Sequence, residues 1–319
     1  MSIDRRGFGL SSLAAGLVAA APAMAKPKTK PAPEPLTVTP RNPYLQWEGR
    51  TADLKDGTVR AGFPGVALRV RFHAAKLTLA TMASSDTVYL DVAIDGGAPS
   101  VVKLTKGLQD WVAFAGEAGD HYVEITRRNE SWQGVWDVAG ASLDQGRFLA
   151  ARLGTQCHLV ACGGRGLTRD WQGISSGVNA PQFYERAAPD DATPLWDHQS
   201  YVPDAIGICL GTNDFSQGIP DENGFTAAFV EFVEKIRRDA PAAHIFLMDS
   251  PIVTDGDVPK RTVLGAYIDE IVRRLGSPLV SHAAVSHYAG RPSNGHPIAE
   301  DHIGIANELE PKFRAALGL

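Results

Sequence analysis

The period of the hydrophobic pattern changes once along this chain of 319 residues, between about 140 and 150, which limits it to two different kinds of core. From about residue 37 to 140 apolar side chains recur at every second position. Val66, Leu68, Val70 and Phe72 form one such run, and Val88, Leu90, Val92 and Ile94 another, closed by Asp95-Gly96-Gly97. Val123 and Ile125 continue the alternation from His121, after the turn signal Gly119-Asp120. A two-residue period puts alternate side chains on one face of a strand. Many short strands between turn signals, with no convincing helical stretch, predict a β-sandwich.

Beyond about residue 150 the pattern is different. HLVAC (158–162), Ala205 to Leu210 and Ile245 to Met248 are short apolar runs, as expected of strands covered on both faces. Phe225, Phe229, Phe232 and Ile236 share one face of a helix that stops before Pro241. Leu264, Ile268, Ile271 and Leu275 repeat the spacing, and a last helical pattern holds Ile305, Leu309 and Phe313 with a break expected at Pro311. Strand alternating with helix predicts a parallel α/β sheet whose ligands bind at the carboxyl ends of its strands.

The first 25 residues stand outside both cores. Arg5 and Arg6 precede a short apolar stretch, Phe8 to Ala21, that ends at Ala23-Met24-Ala25, the layout of a signal peptide of the twin-arginine type. The stretch is too short and too rich in Ala and Gly for a membrane span, so the expected destination is the periplasm or the outside. Residues 26–36 are rich in Pro and Lys and read as an extended linker. A net charge of −5 without a long basic run gives no electrostatic reason to expect nucleic acid or an anionic membrane as partner. Cys157, Cys162 and Cys209 are odd in number and lack metal-ligand spacing; a Cys162–Cys209 disulfide stays open beside the plainer reading of buried thiols.

Chemistry-bearing residues gather after the apolar runs. Gly211-Thr212-Asn213-Asp214 directly follows AIGICL, where an Asn amide can face a developing oxyanion and Gly lets the backbone turn. Gly163-Gly164-Arg165-Gly166 follows HLVAC, where a backbone N–H can supply a second donor. His296, in Gly295-His296-Pro297 ahead of the last helix, is of the type that serves as general base for a serine hydroxyl. Each motif alone has a simpler reading as a tight turn or a helix start. Their order along the chain is more specific than any one of them.

With these residues in place, the chain resembles the SGNH/GDSL hydrolase superfamily, and within it the two-domain carbohydrate esterases of family two, from about residue 37 to the end. The motifs are GGRGL at 163–167, the block from Trp196 through Pro203-Asp204 to Leu210-GTNDFS, and His296-Pro297 followed by His302. The resemblance implies a jelly-roll domain at 37–145 followed by a flavodoxin-like parallel α/β esterase domain at 146–319. It implies removal of O-acetyl groups from carbohydrate without metal or organic cofactor, with Gly164 and Asn213 as oxyanion donors and His296 as base. Arg165, Trp171 and Asp214 are expected to meet the substrate. Tryptophans 47, 111, 132, 136, 171 and 196 leave room for a sugar-stacking platform, although most of them are read as sandwich core.

Two departures bear on catalysis. No Gly-Asp-Ser, the family's nucleophile motif, occurs in the sequence, and the nearest match is Gly140-Ala141-Ser142-Leu143. That segment equally resembles the family's last sandwich strand, whose pattern ends in Leu-Asp-x-Gly, as in Leu143-Asp144-Gln145-Gly146, and Asp137 also suits a half-solvated strand. Either Ser142 is the nucleophile of a Ser–His dyad, or the chain is a homologue that binds glycan without turnover, or it carries an internal deletion. The position of the family's orienting acid, three residues before the His, is Ser293. A dyad survives that change, since a backbone carbonyl can hold the imidazole.

Overall fold

The computed structural model describes residues 39–42, 45–138, 155–289 and 295–319, and residues 39–319 belong to one compact unit. The signal-peptide and linker expectations, Ser142 and Ser293 lie outside the described residues.

The first half is antiparallel: β1 (Leu45–Glu48), β2 (Ala52–Asp53), β3 (Val59–Ala61), β4 (Ala67–Ala83), β5 (Tyr89–Ile94), β6 (Ser100–Lys103), β7 (Gly107–Arg127) and β8 (Trp136–Asp137). These eight strands hydrogen-bond into one sheet of order β2-β3-β8-β4-β7-β5-β6, with β1 also on β4. The expected sandwich of separate sheets is therefore a single sheet among the described residues. The reason is the length of its two spines, 17 residues in β4 and 21 in β7, which pair along nearly their whole course. Register shifts at Ala74/Lys76 and Leu77/Thr78 let so long a ribbon curl. The period-two residues Leu68, Val70, Leu90, Val92, Val123 and Ile125 are all buried inside the curl, with Trp136.

Asp137 corrects another expectation. It pairs with Arg60 across the β3–β8 ladder, Arg60 Nε lying 2.6 Å and Nη2 2.9 Å from its two carboxylate oxygens, and its side chain is 1% exposed. Segment 136–137 is thus a strand of the antiparallel sheet, closed by a buried bidentate pair and not half-solvated.

The second half holds a three-stranded parallel sheet of order β11-β10-β9, with β9 (Ala205–Ile208), β10 (His244–Met248) and β11 (Val280–Ala283). Around it lie the short α1 (Ala180–Phe183), then α2 (Glu222–Asp239), α3 (Lys260–Leu275) and α4 (Ala299–Leu317). The α2 stripe Phe225, Phe229, Phe232 and Ile236 and the α3 stripe Leu264, Ile268 and Ile271 are buried as the spacing predicts. Asp221 caps α2 by accepting from Gly224 N at 2.7 Å, while Arg237 and Arg238 in the last turn suit its negative end. Helix α4 continues through Pro311 where a break was expected. Its apolar face, with Ile305 and Leu309 buried and Phe313 against Phe246, outweighs the one lost backbone hydrogen bond.

HLVAC forms no strand. Residues 155–162 enter no ladder, although Cys157 N donates to Glu48 and His158 stacks on Tyr201 with ring centroids 3.5 Å apart. The apolar composition of a buried strand is present, but no partner edge meets it among the described residues. No disulfide joins Cys157, Cys162 and Cys209, which are half-buried.

The curled sheet and the α/β part press closely together. A Cβ on Gly62 would fall 2.9 Å from Ala188 Cβ, so only glycine permits this approach. Arg50, buried on the same side, donates to Tyr184 O and lies over the rings of Tyr184 and Trp196.

Candidate active site

The two glycine-bearing turns are locked together by one carboxylate. Asp214 is fully buried and accepts from Leu167 N at 2.9 Å, Thr168 N and Thr168 Oγ1 at 2.8 Å, and Arg169 N at 3.3 Å. Arg169 returns the tie by donating to Asp214 O and to Gly218 O. A side chain at Gly166 would run into the Asp214 carboxylate, so this neighbour must be glycine. The expectation that Asp214 meets substrate is overturned: it has no exposed surface and its oxygens are already engaged. It is a strut between the turns.

The strut sets the donors. Gly211, at the end of AIGICL, takes φ +112, and a Cβ there would lie 2.7 Å from Leu264 Cδ1, so the turn needs glycine twice over. Two residues on, Asn213 Nδ2 donates to Arg165 O at 2.9 Å. Gly164 adopts φ +74, and its carbonyl accepts from Trp171 N at 3.0 Å. The structure therefore brings together Gly164, Arg165, Trp171 and Asn213. Trp171 is 55% exposed beside Gly164, and Arg165 leans towards Asp170 at 3.9 Å.

His296 lies exposed just ahead of α4, on the connection that leaves the carboxyl end of β11. Asp301 caps that helix by accepting from Ile298 N, and burial pushes the half-buried His302 down.

Beneath the turns lies a network that sequence reasoning passed over. Asp249-Ser250 directly follows β10, and Ser250 is fully buried. Its Oγ sits 2.6 Å from Thr212 Oγ1, tying the Asn213 turn to the neighbouring strand. Arg261, at the start of α3, donates to Ser250 O at 2.8 Å and to Val285 O, joining the ends of β10 and β11. Asp249 Oδ2 accepts from Val285 N, and Oδ1 lies 3.1 Å from His282 Nε2, whose Nδ1 is 2.8 Å from the mostly exposed Asp269. Only the position of Asp249 at a strand end hinted at this.

The network predicts a pH signature. The hydrogen bond to Asp249 raises His282 above its ordinary value, burial opposes it, and Asp269 adds to the rise. Burial pushes Asp249 up, but His282, Val285 N–H and Arg261 together leave it below its ordinary value. A raised histidine stabilises the fold below its unfolded pKa and stops doing so as pH climbs through the folded one. A depressed aspartate stabilises above its unfolded pKa and fails as pH falls through the folded one. Both contributions are present between about pH 4 and 6.5. His282→Asn is expected to lower Tm more at about pH 5.5 than at about pH 8.5. Equal losses at both would rule out a charged pair.

A cluster at the far end of α2 is of another kind. Donor atoms of Glu185, His198 and Asp239 lie within 4.8 Å of one another, yet Lys235 Nζ stands 2.9 Å from Glu185 and already supplies a cation. Burial and Arg50 hold His198 down.

Residues 47–152 match the N-terminal domain of carbohydrate esterase family two, and residues 114–298 match the GDSL-like lipase/acylhydrolase family. The chain is 31% identical to an acetylxylan esterase / glucomannan deacetylase of Cellvibrio japonicus, over 87% of its own length and 90% of the relative's. It is similar to the structure of a family two carbohydrate esterase from Cellvibrio japonicus, with a TM-score of 0.81 and 30% identity over 88% of this chain and 97% of that one. A family two carbohydrate esterase from Clostridium thermocellum in complex with cellohexaose shares the fold, with a TM-score of 0.77 and 19% identity over 86% and 99% of the two chains.

Proposed function

The chain belongs to the GDSL-like lipase/acylhydrolase family and is a carboxylic-ester hydrolase, and from that premise we propose that it is exported and removes O-acetyl groups from carbohydrate. Ser142 attacks the acetyl carbonyl while His296 takes its proton. Negative charge gathers on the carbonyl oxygen, where Gly164 N–H and Asn213 Nδ2 donate. Collapse expels the sugar oxygen, to which His296 returns the proton. Water, deprotonated by the same imidazole, then splits the acyl-enzyme into acetate and free serine. Arg165 and Trp171 flank the sugar side. The twin-arginine-type leader supports a periplasmic or secreted location, where such a substrate is met.

The observation that carries this reading is the fully buried Asp214 strut, which holds the Asn213 and Gly164 turns side by side. Preorganised donors of this kind are what acyl transfer requires.

A second reading has its own support. The sequence has no Gly-Asp-Ser, the motif that supplies the nucleophile in the family it resembles, and its loss fits a chain that binds glycan without turnover. Acetyl release from acetylated xylan and an aryl acetate by wild type and Ser142→Ala separates the two. Release that disappears in the variant supports the dyad. Release unchanged by Ser142→Ala removes this serine as nucleophile, and none from wild type, with glycan still bound, establishes the second reading.

A further inference from the structure

Two tryptophans, from different halves of the molecule, bracket the Gly163-Gly164 turn. Trp171 belongs to the α/β part, whereas Trp132 comes from the turn between β7 and β8 of the curled sheet. Trp132, one of the six tryptophans of which most were expected in the core, is 72% exposed. Its indole edge faces Gly163, where a Cβ would fall 2.9 Å from both Cδ1 and Nε1, and a Cβ on Gly164 would fall 2.8 Å from Trp171 Cδ1. Larger residues at 163 and 164 would therefore displace both rings.

The turn that carries Trp132 is anchored. Arg127 is fully buried and directs its guanidinium at three backbone carbonyls, those of Gly62, Glu130 and Gly134, which frame residues 130–134. A buried charge given over to holding one short turn rigidifies whatever that turn displays, and here it displays a solvent-facing indole. Beside it stands Glu130, whose carboxylate also lies against Gly163. Its Oε2 is buried and has no hydrogen-bond partner among the described residues. A buried acceptor without a donor is unfavourable unless a ligand or water supplies one.

We propose that Trp132 and Glu130 of the curled sheet, facing Trp171 across the Gly163-Gly164 turn, form a subsite for a neutral pyranose of an oligosaccharide. A pyranose ring carries an apolar C–H face edged with hydroxyl donors. The indoles cover the face, and the half-buried Glu130 offers its carboxylate to a hydroxyl. The same carboxylate repels uronic acids, which selects neutral residues. The sheet domain is then one wall of the substrate cleft. The subsite deepens the deacetylase reading, on which its neighbourhood to the acyl group rests, but occupancy needs no turnover.

Calorimetric titration of the whole protein with xylohexaose tests the subsite. Trp132→Ala is expected to weaken binding about tenfold, the factor that one aromatic face contributes at the upper end, while Trp132→Phe restores most of it. Glu130→Ala is expected to weaken binding by about the same factor. Xylohexaose bound equally by wild type, Trp132→Ala and Glu130→Ala overturns the subsite, as does a wild type that binds no hexasaccharide. If binding falls in the variants while the wild type releases no acetyl, the subsite stands and the deacetylase reading fails. If acetyl is released but both variants bind as wild type does, the reverse holds.

Discussion

His296→Ala is expected to lower kcat for acetyl release by about a million-fold, and Asn213→Ala by about a hundred- to a thousand-fold. The inequality follows from the separate tasks. Without the imidazole the serine hydroxyl keeps its proton, and the Asp214 carboxylate cannot take it, being sealed and already accepting four hydrogen bonds. Without the Asn213 amide the oxyanion still has the Gly164 N–H, so one of two donors is lost. KM for a small aryl acetate is expected to change little in Asn213→Ala, because the donor acts on charge that exists only in the transition state. Steady-state rates over a range of aryl acetate concentrations check both. An Asn213→Ala rate within about threefold of wild type would mean that the amide does not face the developing charge.

Asp214→Ala is expected to cost about 3–5 kcal/mol of unfolding free energy, the largest stability loss anticipated from one substitution in this chain. The variant strands the backbone N–H of the buried Leu167 and those of the half-buried Thr168 and Arg169. Each buried donor left without an acceptor costs about 1–3 kcal/mol, and the three share one loop that can relax in part. Asp214→Asn keeps one acceptor oxygen and is expected to lose about half as much. Denaturant unfolding of the three proteins measures the difference. A loss below about 1 kcal/mol in Asp214→Ala would mean that the turns are held by something other than this carboxylate.

Much of the architecture was legible because it depends on local periodicity. Phe225, Phe229, Phe232 and Ile236 read as a buried helical stripe, and Val123 with Ile125 read as the inner face of a strand, because geometry alone sets those spacings. Strand partners were less legible. Whether the curled half is one sheet or two depends on how far β4 and β7 keep pairing past their bulges, and no local window contains both strands. HLVAC has the composition of a strand, but a strand also needs an edge to pair with. The same limit hid the site's supports. Ser250 and Thr212 are 38 residues apart, and their 2.6 Å contact exists only because β9 and β10 lie side by side.

Composition and motif order pointed to a leader-like segment, a strand-rich half, a helix-and-strand half and the residues proposed for an acyl-transfer site. Those properties follow from charge, hydrophobic period and side-chain chemistry, which each residue owns regardless of its neighbours in space. Only the tertiary structure decided that Asp214 is a strut and not a substrate contact, that Asp137 is buried against Arg60, and that Trp132 reaches solvent beside Gly163. Burial and pairing are properties of two surfaces that meet, and the residues on those surfaces are far apart along the chain.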